Sequence, residues 1–465
     1  MGKKAKRALR EVPFKVTNPE RIPAKRYYDE GFFELEKEHL WPHVWQMACR
    51  LEEIPEVGDW VEYKNLDKSV IVVNSKKGIR AFHNACRHRG VQLASGHGSC
   101  KTQGFICPFH GWRWNSEGEN TFVFGRQIFS EENLDQAELN LVPCRVELWG
   151  GCAFINHDND APPLIDCIKP ATECLDPRNV DKLKVEWWVS SVLPTNWKLA
   201  MEAFMEGYHV MRTHPQLHSI PLPGMSSRYG PDAGNTFPPT RAFNKSTDIV
   251  DVSIKYMEVL SDGMGGMVHA NDIAVAESMR DIELPEDPKE AFNQFFFKLN
   301  HEITTRARAK GIDMPDLNDL AMNKPAPPVQ FMFPHYFLLP QYGNMSSYRI
   351  RPLTPETCLF ELWSLVLYPE DEKRPRPVAP VPGRHDNPEY PEIPKQDYSN
   401  LPLQQLGLHA TGFEYMRLSK DIEGMISNYQ RTVDGFLEGR SNEELVKAQQ
   451  ISSSGLDVPI QDIGF

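Results

Sequence analysis

The chain has 465 residues, 40% hydrophobic and 25% charged, with a net charge of −12. That length leaves room for two or three domains with their own cores, and the acidic balance disfavours nucleic acid and anionic membrane as partners. No apolar run is long enough to cross a bilayer, and nine scattered cysteines suit a reducing cytoplasm, where Cys and His together signal metal more often than disulfide.

The first residues, Met1 to Arg7, lack the apolar stretch of a secretory signal, and Lys6 sits where myristoylation needs Ser or Thr. They read as a solvated basic tail. Residues 15–50 predict one helix, with Tyr28, Phe32, Phe33, Leu35 and Leu40 roughly on one stripe and a stop at Trp41-Pro42. From about 55 to 155 the pattern turns to short strands. Ser69 to Val73, Ile79 to His83, Phe105 to Cys107 and Trp112 to Trp114 are separated by turn signals at 74–78 and Asn115 to Gly118. Short strands joined by tight turns predict a small antiparallel β domain.

Beyond about 185 helix and strand mix. Asn196 to His209 predicts a helix, 218–245 a Pro/Gly/Ser-rich loop, and Phe292, Phe295, Phe296, Leu299 and Ile303 an apolar helical stripe. Three consecutive strands are expected at Val329–Leu339, Ser347–Arg351 and Cys358–Leu367. The Pro-dense stretch Pro369–Pro402 is expected to be a surface loop rather than regular structure. A last helix is expected over about 411–438.

Two constellations carry chemistry. Cys86-Arg87-His88 and Cys107-Pro108-Phe109-His110 form C-x-H, an 18-residue gap and C-x-x-H, each just after a predicted strand. Two thiolates and two imidazoles suit tetrahedral zinc or a Rieske [2Fe–2S] cluster, with Cys on one iron and His on the other. Zinc motifs usually separate the first pair by two to four residues, and here only one residue intervenes. Gly90, Pro108 and Gly111-Trp112 match the tight loops of Rieske proteins. Respiratory-complex Rieske proteins carry an extra Cys at the positions of Val91 and Phe109, so these loops resemble the oxygenase or ferredoxin branch. His83, His97 and Cys100 lie nearby, with nothing in their spacing to make them ligands.

The second constellation is Glu206, His209 and His214. Glu206 and His209, three apart, share a helix face. His209 and His214 are about 140° out of phase on a helix, so one metal can hold both only if the helix stops between them. Pro215 disfavours α geometry at His214 and provides that stop. Two His and a carboxylate form the facial triad of O₂-activating Fe(II) enzymes.

With Asn196-Trp197-Lys198 ahead, Glu206-x-x-His209-x-x-x-x-His214 resembles the catalytic motif of Rieske non-heme iron oxygenases, the aromatic ring-hydroxylating α subunits. The resemblance implies an α+β protein: a segment over 1–40, an antiparallel β Rieske domain over 41–160, and a helix-grip-like catalytic domain with a large antiparallel sheet over 161–465. It implies a [2Fe–2S] cluster on Cys86, His88, Cys107 and His110, and mononuclear Fe(II) on His209, His214 and a late carboxylate. That carboxylate is expected at Asp421, ahead of a helix containing Gln430, with Glu423 as the runner-up. Glu206, where the family more often has Asp, is expected to bridge a neighbouring subunit's cluster to His209, with Tyr208 packing nearby. Implied partners are a ferredoxin or flavin reductase using NAD(P)H, O₂, and an aromatic or bulky hydrophobic substrate, in a homotrimer with or without a β subunit. Dihydroxylation, monooxygenation and oxidative demethylation share this metal site. Met225, Met264, Met267, Phe292 and Phe296 could line an apolar pocket, though such residues are more often plain core. A non-catalytic electron carrier, the other class, would need only the first constellation.

Overall fold

Val70 to Val73 is apolar at every position because both faces of its strand are covered. Successive side chains point to opposite faces of a sheet. Val70 and Val72 enter one core with Cys49, Ala153 and Ile155, while Ile71 and Val73 enter another with Cys86, Cys107 and Trp114. The sheet between these cores has seven antiparallel strands, in the order Gln46–Arg50, Cys152–Asn156, Pro143–Trp149, Gly78–His83, Lys68–Ser75, Asp59–Asn65 and His97–Ser99. A smaller sheet of Phe105–Ile106, Arg113–Trp114 and Asn120–Phe122 accompanies it. This is the expected antiparallel β unit. The computed structural model describes residues 9–218, 247–264 and 266–465.

A six-stranded sheet organises the second half: Gln330–Met332, Tyr336–Gln341, Asn344–Thr354, Thr357–Val366, Lys184–Leu193 and Val381–Arg384. All its pairings are antiparallel except the last, which runs parallel to Lys184–Leu193. Of the three consecutive strands expected from the sequence, Ser347–Arg351 and Cys358–Leu367 fall on the two long central strands, whereas Val329–Leu339 is split into the antiparallel pair Gln330–Met332 and Tyr336–Gln341. Pro288–Ala309 is a long helix capped by Asp287 and buries Phe295, Leu299 and Ile303. Met264 belongs to the large core, and Met267, Phe292 and Phe296 pack against it. Met225 and nearly all of the loop expected over 218–245 lie outside the described residues.

The opening segment is tied into this second half. Its helix, Glu30–His39, is capped by Asp29 and buries Phe32, Phe33 and Glu36. Glu36 is fully buried, and it accepts hydrogen bonds from Lys198 Nζ (2.5 Å) and Trp197 Nε1 (3.0 Å). A buried charge needs such a partner. Asn196 caps the helix Trp197–Glu202 by accepting from Lys198 N. Asn196-Trp197-Lys198 therefore joins the opening helix to the helix that leads into the second constellation.

Three further local expectations are corrected. The helix expected over Asn196–His209 ends at Glu202, because the chain turns through Ala203–Gly207 and the C-terminal segment holds that turn. Gly207 N donates to Asp457 Oδ1 (2.7 Å) and Asp457 N to Met205 O (3.2 Å). The last predicted helix starts only at Gly424, preceded by the strand Tyr415–Arg417, which pairs with Arg21–Pro23. The Pro-dense stretch contains a 17-residue helix, Glu392–Leu408. Pro391 is its cap and Pro394 sits in its first turn, where the N–H has no helical partner to lose. Only Pro402 is interior.

Candidate active site

The two cysteine loops fold alike. Cys86 N donates to Val91 O and Gly90 N to Cys86 O; Cys107 N donates to Trp112 O and Gly111 N to Cys107 O. Each loop closes on a glycine four residues after its cysteine. Gly90 (φ 77°) and Gly111 (φ 70°) occupy the left-handed region that side chains disfavour. Both thiols are buried, while both imidazoles are half-buried at the surface. The imidazole Nδ1 atoms of His88 and His110 face each other at 3.2 Å, and the His88 ring stacks on Trp112 at 4.8 Å. The thiol pKa of Cys86 is raised, first by burial and then by the adjacent Cys107 thiol.

The four side chains thus form a thiol pair and an imidazole pair. Four ligands on one zinc ion would lie within about 4 Å of one another, given Zn–S near 2.3 Å and Zn–N near 2.0–2.1 Å. These four do not form such a group, whereas two other sets of described residues bring their ligand atoms within 4.8 Å of one another. Separate pairs fit a two-iron cluster with Cys on one iron and His on the other.

The second constellation converges. Ligand atoms of His209, His214 and Asp397 all lie within 4.8 Å of one another. Asp397 Oδ1 is 3.2 Å from His214 Nε2 and 3.9 Å from His209 Nε2. The helix does stop where the sequence required: one turn, Val210–Thr213, separates the histidines, and His214 has left helical geometry (φ −117°, ψ 63°). The two rings stand 5.4 Å apart and nearly perpendicular.

Each imidazole is held from behind. Glu206 accepts from His209 twice, from the backbone N at Oε2 (2.8 Å) and from ring Nδ1 at Oε1 (2.9 Å). A carboxylate can only accept, so the proton sits on Nδ1 and Nε2 faces Asp397. Burial opposes the charged form of His209, but the bonded Glu206 carboxylate outweighs it and the pKa is raised. His214 Nδ1 is bonded to Gln396 Oε1 (2.6 Å), and Gln396 Nε2 donates to Gln216 Oε1 (3.2 Å). Outer partners of this kind fix ring orientation for a metal.

Asp421, the expected third ligand, is not in this group. It lies exposed in the turn ahead of the helix Gly424–Glu438. Glu423 is half-buried and accepts from Ser419 N (2.7 Å), and its pKa is raised by burial and by the negative charges of Glu206 and Asp457. Gln430 bonds Tyr27 and Glu202 instead of the site. Tyr208 is 58% exposed. Asp397 and Gln396 were missed because Pro369–Pro402 was read as loop. A signal is present: Asp397, Leu401, Gln405 and Leu408 share one helical stripe, in which Asp397 and Gln405 are buried polar residues among leucines.

An aromatic wall adjoins the triad. Phe204 contacts Phe337 (4.8 Å), Tyr348 (5.3 Å) and Phe360 (6.0 Å), and Phe360 meets Tyr398 on the Asp397 helix (5.1 Å). These rings are buried in the large core and pack as one aromatic cluster.

Residues 180–439 match the family model described as ring hydroxylating alpha subunit (catalytic domain), and residues 44–123 match that of the Rieske [2Fe-2S] domain. The chain is 32% identical over 200 residues to the carnitine monooxygenase oxygenase subunit of Escherichia coli (strain K12), covering 42% of this chain and 52% of that protein. It is 32% identical over 201 residues to the 2-aminobenzenesulfonate 2,3-dioxygenase subunit alpha of Alcaligenes sp, covering 42% and 50%. The chain thus spans about half the length of the curated relatives it matches. A quaternary ammonium Rieske monooxygenase solved with L-carnitine superposes with a TM-score of 0.58 at 18% identity, covering 92% of this chain and 99% of that one. A naphthalene 1,2-dioxygenase variant bound to phenanthrene gives 0.60 at 20% identity, covering 93% and 97%. At those identities the likeness is one of fold.

Proposed function

The chain belongs to the ring-hydroxylating oxygenase alpha-subunit family, and from that premise we propose that it is the oxygenase component of an O₂-dependent hydroxylating system. The observation that carries this is the convergence of His209, His214 and Asp397 downstream of a Cys₂His₂ set. When bound, the cluster supplies electrons one at a time and the mononuclear iron supplies the centre where O₂ is activated. Cys86 and Cys107, both buried, would hold one iron of the cluster, and the half-buried His88 and His110 would hold the other. His209 and His214 present Nε2 to the iron because Glu206 and Gln396 occupy their Nδ1 atoms. Asp397 completes the facial triad in place of Asp421.

The division into an opening segment over 1–40, a Rieske unit over 41–160 and a catalytic unit over 161–465 belongs to the same reading. It is supported by two cores built only from residues of 41–160, while the large core joins residues of 1–40 to those of 161–465 and takes in Met47, Cys152 and Phe154 of the seven-stranded sheet. Glu206, 11% exposed on its side chain, is the carboxylate that meets a neighbouring subunit's cluster imidazole in a homotrimer. The electron donor is a ferredoxin or flavin reductase using NAD(P)H.

The aromatic wall of Phe204, Tyr348, Phe360 and Tyr398 favours an aromatic or bulky hydrophobic substrate, hydroxylated once or twice. A second reading is oxidative attack on a small quaternary ammonium. The similarity to carnitine monooxygenase supports it. The test is a screen of purified, iron-loaded protein with a reductase for substrate-dependent NADH oxidation and O₂ uptake, using bicyclic aromatics and quaternary ammonium compounds in parallel. Coupled product from one panel selects that reading. A cluster that reduces and reoxidises with no mononuclear iron and no substrate dependence would make the protein an electron carrier.

A further inference from the structure

We propose that His83, Cys144 and His157 form a third metal site, one that takes zinc or a similar divalent ion preferring nitrogen and sulfur. Their ligand atoms lie within 4.8 Å of one another, the same closeness that defines the His209–His214–Asp397 group. The set comes from three adjacent strands of the seven-stranded sheet. His83 ends the strand Gly78–His83, Cys144 is the second residue of Pro143–Trp149, and His157 directly follows Cys152–Asn156. Pairing fixes their proximity. Cys144 stands opposite Ala81, Arg145 opposite Asn156, and His83 N donates to Val142 O. Ligands on paired strands are held more firmly than ligands on loops.

The side chains are short of partners. His157 Nδ1 is buried and has no hydrogen-bond partner among the described residues, a state a histidine nitrogen seldom occupies without a reason. The two rings are 5.4 Å apart and tilted at 32°. Cys144 Sγ makes one weak bond, to Asn156 O at 3.4 Å. Burial and then the Lys68 cation lower the pKa of His83, and burial, then His83, then Lys68 lower that of His157. The Cys144 thiol, pushed up to about 12 by burial, would release its proton to solvent as the metal–sulfur bond forms.

The chemistry selects the ion. Two imidazoles and one thiolate with an open fourth position suit tetrahedral zinc, in which ligand atoms sit about 3.3–3.8 Å apart for bonds near 2.0–2.3 Å. The half-buried rings of His83 and His157 leave an approach from solvent. The site is distinct from the cluster. Cys86 and Cys107 lie in the core on one face of the sheet, and Cys144 lies in the core on the other. Because His83 is three residues before Cys86, a bound ion would anchor the strand from which the first cluster loop departs.

The test uses the iron-loaded protein exposed to excess zinc sulfate and then desalted. Zinc and iron are counted per chain, and the zinc environment is read by X-ray absorption. The expected result is one zinc, unchanged iron, and a shell of one sulfur and two imidazoles. Cys144→Ser and His157→Asn should each bind zinc at least tenfold more weakly while keeping the visible spectrum of the cluster. Should Cys144→Ser not fold, His157→Asn alone carries the comparison. Zinc gained only at the expense of iron, a shell without sulfur, or equal zinc retention in His157→Asn would overturn the site.

Discussion

His335 should make the junction between the two sheets acid-labile. It is 1% exposed, and its ring is bonded at both ends. Met47 N, in the seven-stranded sheet, donates to Nε2 (3.0 Å), and Nδ1 donates to Ile350 O in the six-stranded sheet (3.1 Å). Protonation would cost the Met47 bond and place a cation beside Arg349 and Arg351. Burial first, then those two guanidiniums, lowers its pKa from 6.5 to about 3. Between those values the unfolded chain binds a proton that the folded chain refuses, so stability rises with pH across that interval and is level above it. At ~1.4 kcal/mol for each pH unit, the contribution lost by pH 4.5 is about 2–3 kcal/mol, toward a ceiling on the order of 5 kcal/mol at pH 3. Urea unfolding at steps from pH 7.5 to 4.5 measures it. His335→Gln, which cannot take up the proton, should start less stable at pH 7.5 and lose less on acidification. An identical pH slope in wild type and variant would refute the argument.

Glu361 is fully buried and meets Arg349 through both carboxylate oxygens (2.8 Å each) and Arg351 (3.1 Å), and these cations outweigh burial and hold its pKa near 2. Glu361→Gln leaves Arg349 buried without its counter-charge, so a loss of about 3–5 kcal/mol in denaturant unfolding is expected. Glu206→Gln keeps size but removes the charge and one of the two acceptor oxygens behind His209. Both iron centres should load and the cluster should still be reduced. Stopped-flow should show substrate-dependent reoxidation slowed at least tenfold, and a wild-type rate would mean that Glu206 is not the bridge.

What the sequence disclosed follows the reach of each interaction. The cluster loops were legible because Cys, His, Gly and Pro all sit within six residues, and their geometry is set by local turns. The stop between His209 and His214 was legible for the same reason, since Pro215 acts on its immediate neighbour. The carboxylate that meets the two histidines is not, because it is brought to them from 183 residues beyond His214 by tertiary packing alone. Prolines hid it: Pro391 and Pro394 were counted as helix breakers, although a helix start accommodates them. The His83–Cys144–His157 group was invisible for a related cause. Strand pairing, not spacing, brings those three together.

The central claim is that His209, His214 and Asp397 hold an iron separate from the cluster. The most direct test is iron and acid-labile sulfide per chain in wild type, Asp397→Ala and Asp421→Ala. A Rieske cluster accounts for two irons and two sulfides, and the triad for one further iron. The account predicts three irons in wild type, two in Asp397→Ala with sulfide unchanged, and three in Asp421→Ala. Loss of the third iron from Asp421→Ala with full retention in Asp397→Ala would contradict it.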